Sequence, residues 1–263
     1  MAHRSQTVSC DDLFSAVRNK YFYGKKLDVV QFELEQNYFN NKRQLLNRLV
    51  GGYGVVCGLN VTLADDYKSV VVSPGLAIDK CGREITVCQP SEPYPLREPP
   101  QSEAEAADAY DATRVKKWDP CDEIYVHLSI CYQECPTSPV PALGGECDTQ
   151  VLCAPGEVVE RYRLELDDGE LDPASPVSRI PDAIANGQVV YSVLANYVSN
   201  RCPNPGDDCC IPLANIRVPH PGESYDQDCI DITVRPIVYT NDLLYELILA
   251  MNPTQYQARG SKP

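Results

Sequence analysis

No apolar run in this 263-residue chain approaches the ~18–20 residues that a membrane-spanning helix needs, so direct insertion by a helix is excluded. Positive charge is also short. Against 37 Asp+Glu there are only 23 Lys+Arg, a formal balance of −14. Phosphate backbones are bound by Lys and Arg displacing counterions, so nucleic acid is excluded as the main partner. Histidine is scarce, with three in the chain. His3 lies in the terminal segment, His220 stands between two prolines, and His127 falls on the polar side of an alternating strand pattern with Tyr125 and Ser129. There is no Gly-x-Ser-x-Gly, no His-Glu-x-x-His and no Walker-type lysine loop. Gly51-Gly-Tyr-Gly54, followed by Gly58, has the glycines of a phosphate cradle in the wrong order. It follows a helical pattern and precedes a strand, whereas a cradle needs a strand before it and a helix after it. Asp167-Asp-Gly-Glu170 lacks the alternating ligands of a calcium loop and reads as a turn. No catalytic residue is expected, no cofactor is expected, and the chain reads as non-enzymatic. The opening segment, Met1 to Cys10, has no apolar core of a secretory signal, which predicts folding and assembly in the cytoplasm.

What is present is a globular hydrophobic share of 43%, with 13 cysteines, 22 prolines, 15 glycines and 16 tyrosines against four phenylalanines. Proline and glycine at that level predict many turns between short strands. Tyrosine buries its ring while keeping its hydroxyl wet, a property suited to interfaces.

Periodicity predicts an α+β fold, mainly antiparallel β. It has an N-terminal helical segment, a central turn-rich β meander or sandwich, and a C-terminal helix packed on the sheet. A short helix is expected over Cys10–Lys20, then a turn on Gly24. Asp28 with Gln31 forms a capping box for a helix over Asp28–Val50, about 34 Å long at ~1.5 Å per residue. Its apolar stripe is Leu27, Val30, Leu34, Tyr38, Leu45 and Leu49, and Gly51-Gly52 stops it. Strands are expected over Val55–Leu63, Ser69–Val72, Leu76–Asp79 and Glu84–Cys88. They are joined by a type II turn, with positive φ at Gly75, and by a reversal at Gly82. Gly54 and Gly58 belong to the same set of turn glycines. Later strands are expected over Glu123–Cys131, Val158–Leu166, Cys209–Val218 and Ile230–Val238, with helices over Gln188–Tyr197 and Asp242–Met251. Leu243, Leu244, Leu247 and Ile248 are expected to pack on the sheet, with Thr240 or Asn241 as cap. Segments 89–120, containing the Ala/Glu/Asp stretch Ser102–Thr113, and 136–157 are expected as surface loops. The organisation is thus a docking segment over 1–50, an acidic β domain over 51–252, and a flexible tail over 253–263.

Charge divides along the same line. Residues 1–50 hold eight Lys/Arg and five Asp/Glu, a balance of +3, which leaves −17 for residues 51–263. A basic helical end docking on an acidic neighbour accounts for this, as does a solvated helix face. The cysteines fall into two groups. Cys202, Cys209, Cys210 and Cys229 surround one turn-rich knuckle, and Cys121, Cys131, Cys135, Cys147 and Cys153 form the other. Buried or loop thiols, disulfides and a zinc site all remain open. Cys131-x₃-Cys135 is the only short-spaced ligand pair, and the first group is the candidate zinc quartet.

One stretch has a resemblance. Tyr21-Phe-Tyr-Gly-Lys-Lys-Leu27, Glu35-Gln-Asn-Tyr38, Lys42-Arg43, Leu45-Leu-Asn-Arg48, Gly51-Gly-Tyr-Gly-Val-Val-Cys-Gly-Leu59 and Ser73-Pro-Gly-Leu-Ala-Ile-Asp-Lys-Cys-Gly-Arg-Glu-Ile85 together resemble an uncharacterised group associated with phage tails and phage-tail-like contractile injection systems. The resemblance covers about residues 21–88 and is weaker across Cys121–Leu166 and Cys209–Tyr245. It implies a structural subunit of a contractile particle, in the baseplate, its peripheral attachments or the terminal cap. Its partners would be other subunits in multiple copies, and the assembled particle would later meet a membrane or be released. No catalytic residue is carried over. Tyr21, Phe22, Tyr23, Tyr38, Lys42, Arg43 and Arg48 are the expected interface. The competing class is a stand-alone surface- or glycan-binding module whose loops, such as Cys135–Cys153, are stapled by cysteine pairs or zinc.

Overall fold

The computed structural model describes residues 16–102, 123–141, 153–174, 180–185, 188–200, 202 and 209–251. The expected helix over Cys10–Lys20 is not formed at residues 16–20, and its remainder lies outside the described residues. The chain turns at Gly24, φ +82°, before Asp28. The Asp28 carboxylate accepts from Val30 N at 2.8 Å, and Asp28 N donates to Gln31 Oε1 at 2.9 Å, closing the capping box of α1 (Val29–Leu46). The expected helix to Val50 is regular only to Leu46. Asn47–Gly51 widens into a π turn, where Asn47 Nδ2 donates to Gly82 O at 3.0 Å and Glu84 Oε1 at 2.8 Å, and Gly52 ends it at φ +82°.

The strand expected over Val55–Leu63 is two strands. Leu59 takes φ +54° and breaks the extended run into β1 (Gly54–Gly58) and β2 (Val61–Leu63), which enter different sheets. With β3 (Ser69–Val72), β4 (Gly75–Ile78), β5 (Glu84–Val87) and β6 (Tyr94–Pro95), the expected meander becomes two antiparallel sheets of order β1-β4-β5 and β2-β3-β6. Gly75 corrects another expectation, since it opens β4 without positive φ. The segment 89–120 is only partly a loop. β6 pairs with β3, Leu96 is buried, and Ser91 Oγ accepts from Val72 N. Residues 103–113 of the Ala/Glu/Asp stretch lie outside the described residues.

The third sheet has the order β12-β11-β7-β8, from β7 (Ile124–Pro141), β8 (Cys153–Asp168), β11 (Ile211–Val218) and β12 (Ile230–Asp231). Alternation along Ile124, Val126, Leu128 and Ile130 sends one face inward. Both outer parts of the expected 136–157 loop are strand, because β7 and β8 keep pairing from Val126↔Asp168 to Pro141↔Cys153. β11 stops pairing with β7 at Ile130. Beyond that point β7 and β8 continue as a two-stranded arm, Tyr132–Pro141 against Cys153–Tyr162, about 33 Å long at ~3.3 Å per residue. Prolines at positions 136, 139 and 141 fit there, because this stretch of β7 has one free edge.

The strand expected over Ile230–Val238 is regular only in β12. Farther on, Val55 N donates to Pro236 O and Val238 N to Val55 O, an isolated bridge onto β1. β9 (Ile184–Ala185) and β10 (Gln188–Val189) pair with each other and precede α2 (Tyr191–Val198), so the helix expected from Gln188 begins three residues later. Thr240 caps α3 (Asn241–Met251), its Oγ1 accepting from Leu243 N at 3.2 Å. The expected packing of α3 on the sheet does not occur. None of its residues is buried, and Leu244, Leu247 and Ile248 are exposed. The tail over 253–263 lies outside the described residues.

The three large sheets share one core. Leu59, Val61, Val70, Val72, Ile85 and Val87 join Leu128, Ile130, Ile211, Leu213 and Ile216 in a single cluster. Each such side chain, fully buried, stabilises the fold by about 1.5–3 kcal/mol. β11 is buried on both faces, and its one polar core residue is satisfied. Asn215 Nδ2 donates to Leu171 O at 2.8 Å, and Leu171 N donates to Asn215 Oδ1 at 3.1 Å. The architecture is α+β and mainly antiparallel, with helices at both ends of the described chain.

Candidate functional site

Two features stand out from this frame: a cysteine pocket on the third sheet and an uncovered helix at the amino end. The pocket arises from register. Ile130 pairs with Ile211, so the next residues outward, Cys131 and Cys210, face each other with Cα atoms 4.4 Å apart and form a disulfide. Glu165 comes from the strand on the other side. Its β8 position is paired with Ser129, placing it diagonally from Cys131. Glu165 Oε1 takes Arg163 Nη2 at 2.7 Å, while Oε2 sits 3.1 Å from Cys131 Sγ and 3.5 Å from Cys210 Sγ. These cysteines and the carboxylate offer three ligand atoms, all within 4.8 Å of one another. A cavity of about 410 Å³ opens over them, lined also by Arg83, Tyr132, Arg163 and Cys209.

Arg83 ties this pocket to the resembling segment. The buried Asp79 carboxylate accepts from Arg83 Nε at 2.6 Å and from Arg83 N at 2.8 Å, across the turn at Gly82. The Arg83 guanidinium then lies 4.7 Å over the Tyr132 ring. Burial, reinforced by the Glu134 charge, raises the Tyr132 pKa, so its hydroxyl stays protonated at neutral pH. Cys81, in the same turn, is also disulfide-bonded.

The expected zinc quartet is not assembled. Cys210 is bonded to Cys131, and Cys202 is exposed. Cys229 is buried elsewhere and donates from Sγ to Asp226 Oδ1 at 3.1 Å, and burial raises its thiol pKa. Of the four, Cys209 and Cys210 line the pocket, joined by Cys131 from the second sequence group. Cys135 and Cys153 are free thiols on the arm, so no staple joins those two positions. Sequence reasoning missed Glu165 and the Cys131–Cys210 pairing. The available signal was that Cys131 ends one apolar alternation and Cys210 begins another. Register between strands 79 residues apart, however, is decided by packing. His127 is held by ordinary strand-end contacts, with Nδ1 3.1 Å from Gly169 O and Nε2 3.9 Å from Asp167.

The helix α1 buries no residue. Its half-buried side carries Leu34, Tyr38, Leu45 and Leu49, whereas Leu27 and Val30 of the expected stripe are exposed. Val29, Phe32, Phe39, Leu46 and Val50 form a second stripe, spaced 3, 7, 7 and 4, that nothing among the described residues covers; Phe39 is 62% exposed. Ahead of it, Tyr21, Phe22 and Tyr23 are exposed too, with the Tyr21 hydroxyl bonded to Glu35. Of the expected basic interface residues, Lys42 is exposed, Arg48 is half-buried, and Arg43 is engaged within the chain, 3.1 Å from Glu84. That ion pair, Asn47 and the backbone of Gln44 at Gly82 seat the end of α1 on the β4–β5 turn. No helix among the described residues is long and apolar enough to cross a membrane. No family model matches the chain, and no curated protein matches it.

Proposed function

We propose that this chain is a non-enzymatic structural subunit that works by protein–protein contact, through α1, within a phage-tail-like contractile particle. The observation that carries the assembly reading is the exposed stripe Val29, Phe32, Phe39, Leu46 and Val50 on a helix that, among the described residues, is seated at its carboxyl end. Large apolar side chains aligned along one side of an exposed helix are costly to leave in water and mark an interaction site. The occupant is the acidic surface of a neighbouring subunit, because the first 50 residues carry +3 and the rest of the chain −17. The contractile particle rests on the resemblance over residues 21–88. Repetition of one such contact around a symmetric ring makes a modest interface stable. A stand-alone module is less favoured, since the arm that would present its stapled loop carries Cys135 and Cys153 as free thiols.

The test is sedimentation from the native host. The full chain is expected in the large-particle fraction, and a Phe32→Ser/Phe39→Ser variant is expected in the small soluble fraction with an unchanged melting temperature. Wild type sedimenting only as a small species would overturn the assembly role. Once the Cys131–Cys210 disulfide is reduced, a zinc ion has a place in this reading as well, at Cys131, Glu165 and Cys210, where it would link β7, β8 and the start of β11.

A further inference from the structure

We propose that Cys131 and Cys210 form a redox-gated metal site, which binds one zinc-type ion with Glu165 when reduced and releases it when the two sulfurs join. This rests on reading that cluster as a metal site and adds the control of its occupancy.

Glu165 Oε2 lies 3.1 Å from one sulfur and 3.5 Å from the other, the spacing of hydrogen bonds to sulfur. A disulfide carries no S–H, so neither sulfur has a proton to give. In the bonded state the carboxylate oxygen therefore faces sulfur lone pairs, an arrangement that earns no hydrogen bond. Arg163 holds the carboxylate there through Oε1. The two sulfurs can partner Oε2 only as thiols, or through a cation held between them and the carboxylate.

The distances suit a cation. Zinc bonds thiolate at about 2.3 Å and carboxylate at about 2.0–2.2 Å, so tetrahedral ligands stand roughly 3.5–3.8 Å apart. The oxygen is already near that distance from both sulfurs, and only the sulfurs must part. Cys209 lines the same cavity, which also has room for water as a fourth ligand. Two thiolates and a carboxylate bring −3 to the site, and a divalent ion leaves −1. Arg163, already paired with Glu165 Oε1 on the cavity wall, offsets the remainder.

The exchange balances with a small-molecule disulfide as oxidant. The two metal-bound thiolates give up two electrons and form the Cys131–Cys210 bond. The oxidant takes those electrons and two protons to become two thiols, and the ion leaves as the free divalent cation. A dithiol reductant reverses each step. Oxidation thus exchanges a metal link among three strands for a covalent link between two of them.

The experiment uses the full chain, reduced with a phosphine under argon and freed of reductant, then titrated with zinc and separately with cobalt. One tightly bound ion per chain is expected, with the thiolate-to-cobalt charge-transfer band and the visible bands of a tetrahedral site. Oxidised glutathione is then expected to release that ion as free thiols at positions 131 and 210 disappear. Glu165→Gln, which leaves the disulfide intact, is expected to weaken binding at least tenfold. Cys131→Ser is expected to abolish the tight site, and Cys202→Ser/Cys229→Ser to keep it. Failure of the reduced wild type to bind, or equal binding by Cys131→Ser, overturns the metal site itself. Binding that persists through oxidation with the Cys131–Cys210 bond formed overturns the gating alone.

Discussion

Gly75 and Gly82 lie in neighbouring turns and are glycine for different reasons. Gly82 has φ +89°, and a Cβ there would stand 2.0 Å from Gln44 O, where the end of α1 rests. Gly75 has ordinary extended backbone, but a Cβ would meet Cys57 O at 2.4 Å and Leu59 N at 2.5 Å. The type II turn read from Ser73-Pro-Gly75 does not form, because Gly75 lacks positive φ, and the close approach of another strand, which does require glycine, was not legible. Both Gly75→Val and Gly82→Val are expected to destabilise by roughly 1–3 kcal/mol or more, read as a fall in urea midpoint. An unchanged midpoint in both would refute the contacts. Asp79 and Arg83 make a further residue-scale case. Neither was singled out by composition or spacing, yet the buried Asp79 carboxylate holds Arg83 on Tyr132. Asp79→Asn is expected to cost roughly 3 kcal/mol, because a charged partner loses its counterion in a largely buried setting. Asp79→Asn melting within a degree of wild type would show the pair to be idle. At the Cys131–Glu165–Cys210 cluster the cysteines were visible as residue types but not as a set, since three separate chain segments supply the three side chains.

Among the elements, α1 was the most legible, because its start depends on residues three apart: Asp28 and Gln31. Its apolar residues were read as one stripe, and the structure divides them between a half-buried side and an exposed one. The expected packing of α3 failed for a related reason. Leu244, Leu247 and Ile248 have helical spacing, but spacing does not say whether a partner surface is available. The arm was mistaken for a loop because prolines at 136, 139 and 141 and two cysteines resemble loop composition. A strand with one free edge tolerates proline. Replacing residues 135–159 by a two-residue Asn-Gly turn should leave the sheet intact, since the described residues of the arm beyond Tyr132 and Tyr162 add no buried residue to the core. A drop in melting temperature of more than roughly 5 °C, over a kilocalorie at this chain length, would show that the arm supports the fold. Removing residues 1–50 is expected to leave the β region folded by far-UV circular dichroism but absent from sedimenting particles. Incorporation of the truncated chain at wild-type level would count against docking through α1.

At the scale of the molecule, acidity and buried tyrosines set the response to solvent. With a formal balance of −14, the folded chain repels itself, and added salt screens that repulsion over about 8 Å at 0.15 M. The urea midpoint should therefore rise between low and physiological ionic strength; a fall would mean that attractive pairs dominate. Burial lifts Tyr125 to about 12 and raises Tyr132 and Tyr225 above their ordinary value of 10.0. The folded state keeps these protons longer than the unfolded chain does. Their contribution is complete below pH 10 and is lost as pH rises toward the folded values. Stability should hold near neutral pH and fall above about pH 10. Tyr225→Phe should flatten that fall while losing about 1 kcal/mol at neutral pH with the hydroxyl bond to Arg97 O at 2.7 Å. A steeper alkaline fall in Tyr225→Phe would contradict the assignment.

The sequence by itself determined the α+β class, the cap of α1, the strands Ser69–Val72 and Glu84–Val87, and the charge contrast of the amino end, because each follows from neighbours within a few residues. Tertiary structure alone decided that Leu59 divides two sheets, that α3 buries none of its residues, and that Cys131, Glu165 and Cys210 meet. Those outcomes depend on strand register across long separations, which is set by how three apolar faces share one core and not by any local pattern.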